Sequence, residues 1–334
     1  MSFSAQTSPA DSPSHFQYSR VCSHRFSRRT LLKGVGGLAA ASVIGGGAVV
    51  AGSAPAQAAV TVAEHEDHGR MQYYKLATSS VGWLPRVNVL LPDGYDASHR
   101  YPVLFLLHGG GENYSTFDTK YDIRNHTAGR DLIVVMPDGG AAGWYCDPES
   151  SNVGPRNWET FHIKELIPWV DTTFSTTAQA SGRAVSGFSM GGFGALKYAA
   201  KYPELFASVS SHSGPADLRI QDGAVVHWAN FTAGATDLKG GTIYGIPWDQ
   251  ARVSADNPVE HVESYRGKRV FLVSGTESDR YESVVLPSQQ SFGKALDGAG
   301  IGYERYEDTG AHVVRWGRIQ QDIDSLLNHF ATAG

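Results

Sequence analysis

Cysteine is scarce in this chain of 334 residues, with only Cys22 and Cys146. Two thiols cannot make the disulfide framework that staples a small secreted fold, so stability must come from a hydrophobic core. Basic clusters are missing too. The chain has 28 Lys and Arg against 33 Asp and Glu, for a formal charge of −5. No stretch is basic enough to follow a phosphate backbone, and nucleic acid is not an expected partner. Internal repeats and blocks of like charge are absent, and so is a long apolar lid of the kind a lipase uses on large droplets. Metal-ligand spacing is also lacking. His65-Glu66-Asp67-His68 groups possible ligands, but it reads as part of a frayed N-terminal segment with no further ligands in pattern. No metal and no other cofactor is expected.

What is present is the balance of a globular protein, 41% hydrophobic and 18% charged with 38 Gly. The first 58 residues read as an address rather than as part of the fold. Ser27-Arg28-Arg29-Thr30-Leu31-Leu32-Lys33 precedes an apolar stretch rich in Gly and Ala from Gly34 to Ser53, and Ala56-Gln57-Ala58 supplies small residues behind it. This is the form of a twin-arginine signal cleaved after Ala58, which implies handling by the twin-arginine export machinery and an extracellular destination. The apolar stretch is too weakly hydrophobic to serve as a stable membrane anchor, and no cysteine follows it to take a lipid. Removing the leader takes Cys22 with it and leaves 23 basic against 32 acidic residues, a net charge of −9.

From Ala59 to Gly334 the chain reads as a single α/β domain. Apolar runs of strand length alternate with segments of helical period, the sequence form of a mostly parallel sheet covered on both faces. Strands are expected at Val87–Leu91, Pro102–Leu107, Leu132–Met136, Arg183–Phe188, Ala207–Ser211, Arg269–Ser274 and Ile301–Tyr306. Uninterrupted runs such as VLFLL and LIVVM mark burial on both sides. Helices are expected at Trp158–Phe174, Gly192–Lys201 and about Arg318–Phe330. The stretch from about 215 to 263 holds no clear strand and reads as an inserted region over the sheet edge.

Gly187-Phe188-Ser189-Met190-Gly191 has the GxSxG form. The pattern is weak by itself, but here an apolar strand leads into the serine and a small-residue helix follows, as a nucleophile elbow requires. Such a sharp turn brings backbone segments too close for side chains on either flank, hence glycine at both. No turn of this kind surrounds Cys146. A serine hydroxyl needs a base, and that base needs a carboxylate. His312 lies in the loop between the last strand and the closing helix, where a hydrolase fold presents its base. The acid should follow the strand Arg269–Ser274, where Gly275-Thr276-Glu277-Ser278-Asp279-Arg280 offers Asp279, the choice here, with Glu277 as its rival. His108-Gly109-Gly110-Gly111 follows the buried VLFLL strand, so the amides of Gly110 and Met190 are the expected oxyanion donors. Trp144, Tyr145, Trp228, Phe231 and Trp248 are candidates for an acyl or aryl pocket, or equally for the core.

HGGGEN at 108–113, NWETF at 157–161, GFSMGGFGAL at 187–196, KYPELFASVSSHSG at 201–214 and HVVRWG at 312–317 resemble the esterase D family of α/β-hydrolases. That family includes secreted carboxylesterases, feruloyl and acetyl-xylan esterases, S-formylglutathione hydrolases and mycolyltransferases of antigen 85 type. The resemblance covers most of Pro85–Phe330. It implies the α/β-hydrolase fold, Ser189 as nucleophile, His312 as base and Gly110 with Met190 as oxyanion amides. At the acid the match is imperfect, because Ser278 occupies one of the steps where relatives carry the carboxylate.

Three functions fit these residues. The first is an exported serine carboxylesterase working through a Ser-His-Asp triad and an acyl-enzyme. The second is an acyltransferase that passes the same acyl group to a sugar or glyceride alcohol. The third is a non-catalytic binding protein, disfavoured because nucleophile, base and acid candidates all remain. The expected partner is a small-molecule, carbohydrate or lipid ester.

Overall fold

The computed structural model describes residues 60–333. Among the described residues nine strands form one sheet: β1 (Thr61–His68), β2 (Met71–Ala77), β3 (Arg86–Leu90), β4 (Val103–Leu107), β5 (Ile133–Pro137), β6 (Arg183–Phe188), β7 (Ser208–His212), β8 (Arg269–Gly275) and β9 (Glu304–Asp308). Their order is β1-β2-β3-β5-β4-β6-β7-β8-β9. The first three join antiparallel, and β3 is antiparallel to β5. From β5 to β9 every pairing is parallel. Every residue of β4, β5, β6, β7 and β8 is buried, as expected of strands covered on both faces.

Apolar side chains from the two faces make two cores. The larger joins Val103, Phe105, Ile133, Val135 and Val185 to Trp158, Phe161, Phe193 and Leu196. The smaller joins Leu104, Leu106, Val134 and Met136 to Ile319, Ile323 and Leu326. The two sets alternate along each strand, so the pleat sends successive residues to opposite layers. The helices are α1 (Thr116–Thr119), α2 (Ile123–His126), α3 (Trp158–Thr160), α4 (Ile167–Thr173), α5 (Met190–Lys201), α6 (Ile220–Ala235), α7 (Gln250–Asp256), α8 (Glu282–Gly298) and α9 (Trp316–Ala333). A π-helical segment, Phe161–Leu166, links α3 to α4 and makes the expected helix at Trp158–Phe174 continuous.

Several expectations change. His65-Glu66-Asp67-His68 is not frayed; it forms the second half of β1, paired to β2 in register. Every residue of β1 is exposed, so it carries no apolar alternation to reveal it. Cross-strand contacts hold it instead: His65 stacks on Tyr74 with ring centroids 4.3 Å apart and shares a 2.7 Å hydrogen bond with Gln72. Among the described residues no group of three or more His, Cys, Asp or Glu is placed to hold a metal ion. The last strand begins at Glu304 instead of Ile301, because Ile301 turns into the larger core. Residues 215–263 hold α6, α7 and most of a 3₁₀ stretch, Pro258–Tyr265, and no strand. The stretch connects two interior strands, β7 and β8, and its helix α6 supplies part of the cavity wall described below. The expected leader, residues 1–58, lies outside the described residues. No described helix is long and apolar enough to cross a membrane.

Beneath α5 lies a buried ionic cluster. The ammonium of Lys197, with no exposed surface, contacts Glu159 at 2.6 Å and Asp256 at 3.3 Å. Lys201 bridges the same two carboxylates at 2.8 Å each. Burial pushes the Glu159 carboxyl up, but the two lysines override it and hold it at about 2. Lys197 Nζ also lies 3.1 Å from Cys146 Sγ, yet burial dominates there and raises the thiol to about 12. Cys146 is therefore a protonated core residue without the activation a nucleophile needs.

Candidate active site

The sheet brings four loops to one edge. β4, β6, β8 and β9 run parallel, so the segments after Leu107, Phe188, Gly275 and Asp308 all leave from their carboxyl ends. Crevices of open α/β sheets form at this edge.

Ser189 stands between the end of β6 and the start of α5 with φ 56° and ψ −118°. This backbone conformation is strained for any residue but glycine. It persists because the turn is fixed on both sides: the Ser189 amide donates to His212 O at 2.8 Å, and Ser189 O accepts from Phe193 at 3.1 Å. A Cβ on Gly187 would collide with the backbone of Gly191, and one on Gly191 with the Leu107 carbonyl. The two glycines of the motif are thus required by close backbone approach.

Ser189 Oγ lies 2.8 Å from His312 Nε2. On the far side of the ring, His312 Nδ1 lies 3.2 Å from Glu282 Oε1. An ionised carboxylate only accepts, so Nδ1–H donates to Glu282, which leaves Nε2 to accept the Ser189 hydroxyl proton. The Glu282 carboxylate is fully buried, and its Oε2 has no partner among the described residues.

The carboxylate beside the histidine is therefore Glu282, in place of either Asp279 or Glu277. Asp279 is used by the backbone. Its Oδ1 accepts from the amides of Tyr281 at 2.8 Å and Glu282 at 2.7 Å, and its Oδ2 accepts from the amide of His312 at 2.8 Å. Burial opposes its ionisation, but these three amides hold its carboxyl below the ordinary carboxylate value. Glu277 is exposed, and its backbone N–H donates to Gly310 O at 3.1 Å. The sequence did carry a signal for Glu282: Asp279-x-x-Glu282 ahead of Ser-Val-Val-Leu is a helix-start pattern, which commits the aspartate to capping and leaves the glutamate. Pro287 and Gly293 inside α8 break the helical period that would have announced it.

The segment after β4 is braced from several directions. His108 Nδ1–H donates to Gly109 O at 2.8 Å, while its Nε2 accepts from the Gly139 amide at 2.9 Å. Glu112 Oε2 accepts from the Gly109 amide at 3.0 Å, and the Gly111 amide donates to Ala141 O at 2.7 Å. Between these anchors Gly110 is exposed. Among the described residues neither its amide nor that of Met190 has an acceptor. Both residues line the same cavity as Ser189 and His312. Met190 is the first residue of α5, so its N–H belongs to a helix N-terminus, where developing negative charge is favoured.

That cavity measures about 560 Å³. Trp144 and Trp228 form one wall, edge to face at 5.2 Å, and Trp228 stacks on Tyr281 at 5.1 Å. Tyr281 packs in turn against the His312 ring at 4.9 Å. Of the five aromatic candidates, only these two tryptophans line it. Tyr145 is a core residue whose hydroxyl donates to His108 O, Phe231 points to solvent and Trp248 packs against His227. Tyr281 was not legible as a wall residue, since its role depends on where α8 begins.

Sheet order, elbow and carboxyl-edge site together define an α/β-hydrolase. The Esterase family model matches residues 78–316, and the chain belongs to that family. It is 57% identical over 277 residues to esterase Rv1288 of Mycobacterium tuberculosis, a match that takes in 80% of this chain and 60% of that protein. The chain thus spans less than two thirds of that relative's length. The MPT51/MPB51 antigen of Mycobacterium bovis is 26% identical over 244 residues, covering 68% of this chain and 78% of the antigen. Among solved structures, an S-formylglutathione hydrolase from Agrobacterium tumefaciens superposes with a TM-score of 0.64 at 20% identity, over 82% of this chain and 99% of that one. Mycobacterium tuberculosis MPT51 gives 0.63 at 21%, over 81% and 99%. At these identities the superpositions speak for the fold alone.

Proposed function

We propose that the chain is a serine esterase that cleaves carboxylic esters through a Ser189–His312–Glu282 triad. The observation that carries this reading is the unbroken chain from Ser189 Oγ through the His312 ring to a buried carboxylate, opening on a cavity with two acceptor-free amides. Ser189 Oγ attacks the ester carbonyl carbon as its proton passes to His312 Nε2. Glu282 steadies the imidazolium through Nδ1–H, and the amides of Gly110 and Met190 receive the oxyanion. Collapse breaks the carbon–oxygen bond of the ester, and Nε2 returns the proton to the departing alcohol. Water then attacks the acyl-enzyme by the same route and frees the acid.

Export is part of the proposal: Arg28 and Arg29 with the Ala56-Gln57-Ala58 sequence support twin-arginine secretion of a chain starting at Ala59. Mass spectrometry of the product secreted by cells making the full chain checks this, and an unprocessed chain retained in the cytoplasm contradicts it.

For the reaction itself, p-nitrophenyl acetate and butyrate are offered to the protein with and without glycerol. Free acid should be the main product, and Ser189→Ala should lower kcat by at least about a thousandfold. Equal rates for wild type and variant refute the serine assignment, whereas a glyceride ester as main product makes the chain an acyltransferase.

A further inference from the structure

Apart from the reacting histidine, the cavity is lined by three charged side chains, Glu112, Lys120 and Arg280. Two of them neutralise each other. Lys120 Nζ donates to Glu112 Oε1 at 3.0 Å, and the Tyr121 hydroxyl adds a 2.9 Å bond to the same oxygen. Arg280 is different. Among the described residues no carboxylate pairs with it, and its guanidinium donates to no acceptor, although its chain neighbour is Asp279. That carboxylate is already occupied by the amides of Tyr281, Glu282 and His312. The guanidinium carbon instead sits 4.6 Å over the Tyr281 ring. Stacking of this kind holds the planar fork against the cavity wall and leaves its N–H donors unspent.

An unpaired guanidinium in the wall of a reaction cavity is notable in a chain whose overall charge is negative. We infer that Arg280 selects esters that carry a second, anionic oxygen group, a carboxylate or a phosphate, away from the ester carbonyl. The inference rests on the esterase reading and adds the substrate class. The anion replaces water on the guanidinium fork with two parallel charge-assisted hydrogen bonds, the geometry for which arginine is suited and lysine is not. Arg280 is exposed, so solvent moderates the gain and salt screens it.

The test compares matched esters. p-Nitrophenyl hydrogen adipate is set against p-nitrophenyl hexanoate, which places the anion on the acyl side. 4-Acetoxybenzoate is set against 4-methylphenyl acetate, which places it on the alcohol side. 4-Acetoxyphenyl phosphate distinguishes phosphate from carboxylate. For each pair the readout is the anionic-to-neutral ratio of kcat/KM. In at least one pair, Arg280→Gln should lower that ratio about five- to tenfold, with Arg280→Lys in between and Arg280→Glu lowest. Raising NaCl from 0.05 to 0.5 M should shrink the wild-type ratio and leave the Gln variant flat. Ratios that are equal in wild type and Arg280→Gln for every pair overturn the inference while the esterase reading stands. If wild type cleaves none of the esters faster than Ser189→Ala, the esterase reading itself fails, and the inference with it.

Discussion

At the residue scale the main lesson is how two carboxylates three positions apart divide their work. Glu282 meets the His312 ring, and Asp279 ties the backbone of His312 to that of Tyr281 and Glu282. Their replacements should differ in kind. Glu282→Gln keeps the shape but removes the charge that fixes the ring tautomer, and kcat should drop by about 10³ to 10⁴. Asp279→Asn loses only part of a clamp. It should cost roughly tenfold in kcat and about 1–2 kcal/mol of stability, read by steady-state kinetics and urea unfolding. The reverse order of effects would return Asp279 to the triad. Ser189, Gly110 and Met190 were legible as neighbours on one cavity because each follows a buried strand, and His312 because it lies between the last strand and the closing helix. The carboxylate beside the His312 ring was not, because its position depends on the first turn of a helix with a proline inside it.

At the element scale the interior strands announce themselves and the margins do not. β6 spans the expected Arg183–Phe188, and β4, β5, β7 and β8 depart from expectation by a residue or two; in β4 and β5 the reason is that continuous apolar runs have few other places to go. β1 is wholly exposed, β9 is largely charged, and β2 carries Gln72 and Lys75 among its apolar residues. In such strands pairing supplies what hydrophobic pattern does not. The join between β6 and α5 is the least forgiving element. Gly191→Ala would press a methyl group into the Leu107 carbonyl at the point where β4 and β6 meet the helix. It should destabilise the fold by more than about 3 kcal/mol, lowering the thermal midpoint and the soluble yield together; an unchanged midpoint would show that the turn relaxes.

Across the whole molecule, acid stability should be set by two buried carboxylates on opposite faces of the sheet. Glu159 is held at about 2 by Lys197 and Lys201 against the effect of burial. Asp322, also desolvated, is held at about 2 by Arg269 and by hydrogen bonds from His212 and Ser210. Both values lie below the ordinary carboxylate range, so each group's stabilisation is complete above that range and lost as pH falls through it. The thermal midpoint should therefore hold down to about pH 4.5 and decline steeply between there and pH 2. A midpoint flat to pH 2 would contradict the pairing. Lys197→Met leaves two core carboxylates with Lys201 as their shared cation and should cost about 3–5 kcal/mol, seen as a midpoint lower by roughly 10 °C. The placement of Cys146 against Lys197 gives the experimenter a clock. Without residues 1–58 the chain has one thiol, sealed in the core and protonated at neutral pH. Ellman's reagent should stay colourless on the folded protein, and colour should develop only as fast as the core opens, so the native polypeptide can time its own unfolding without an added label.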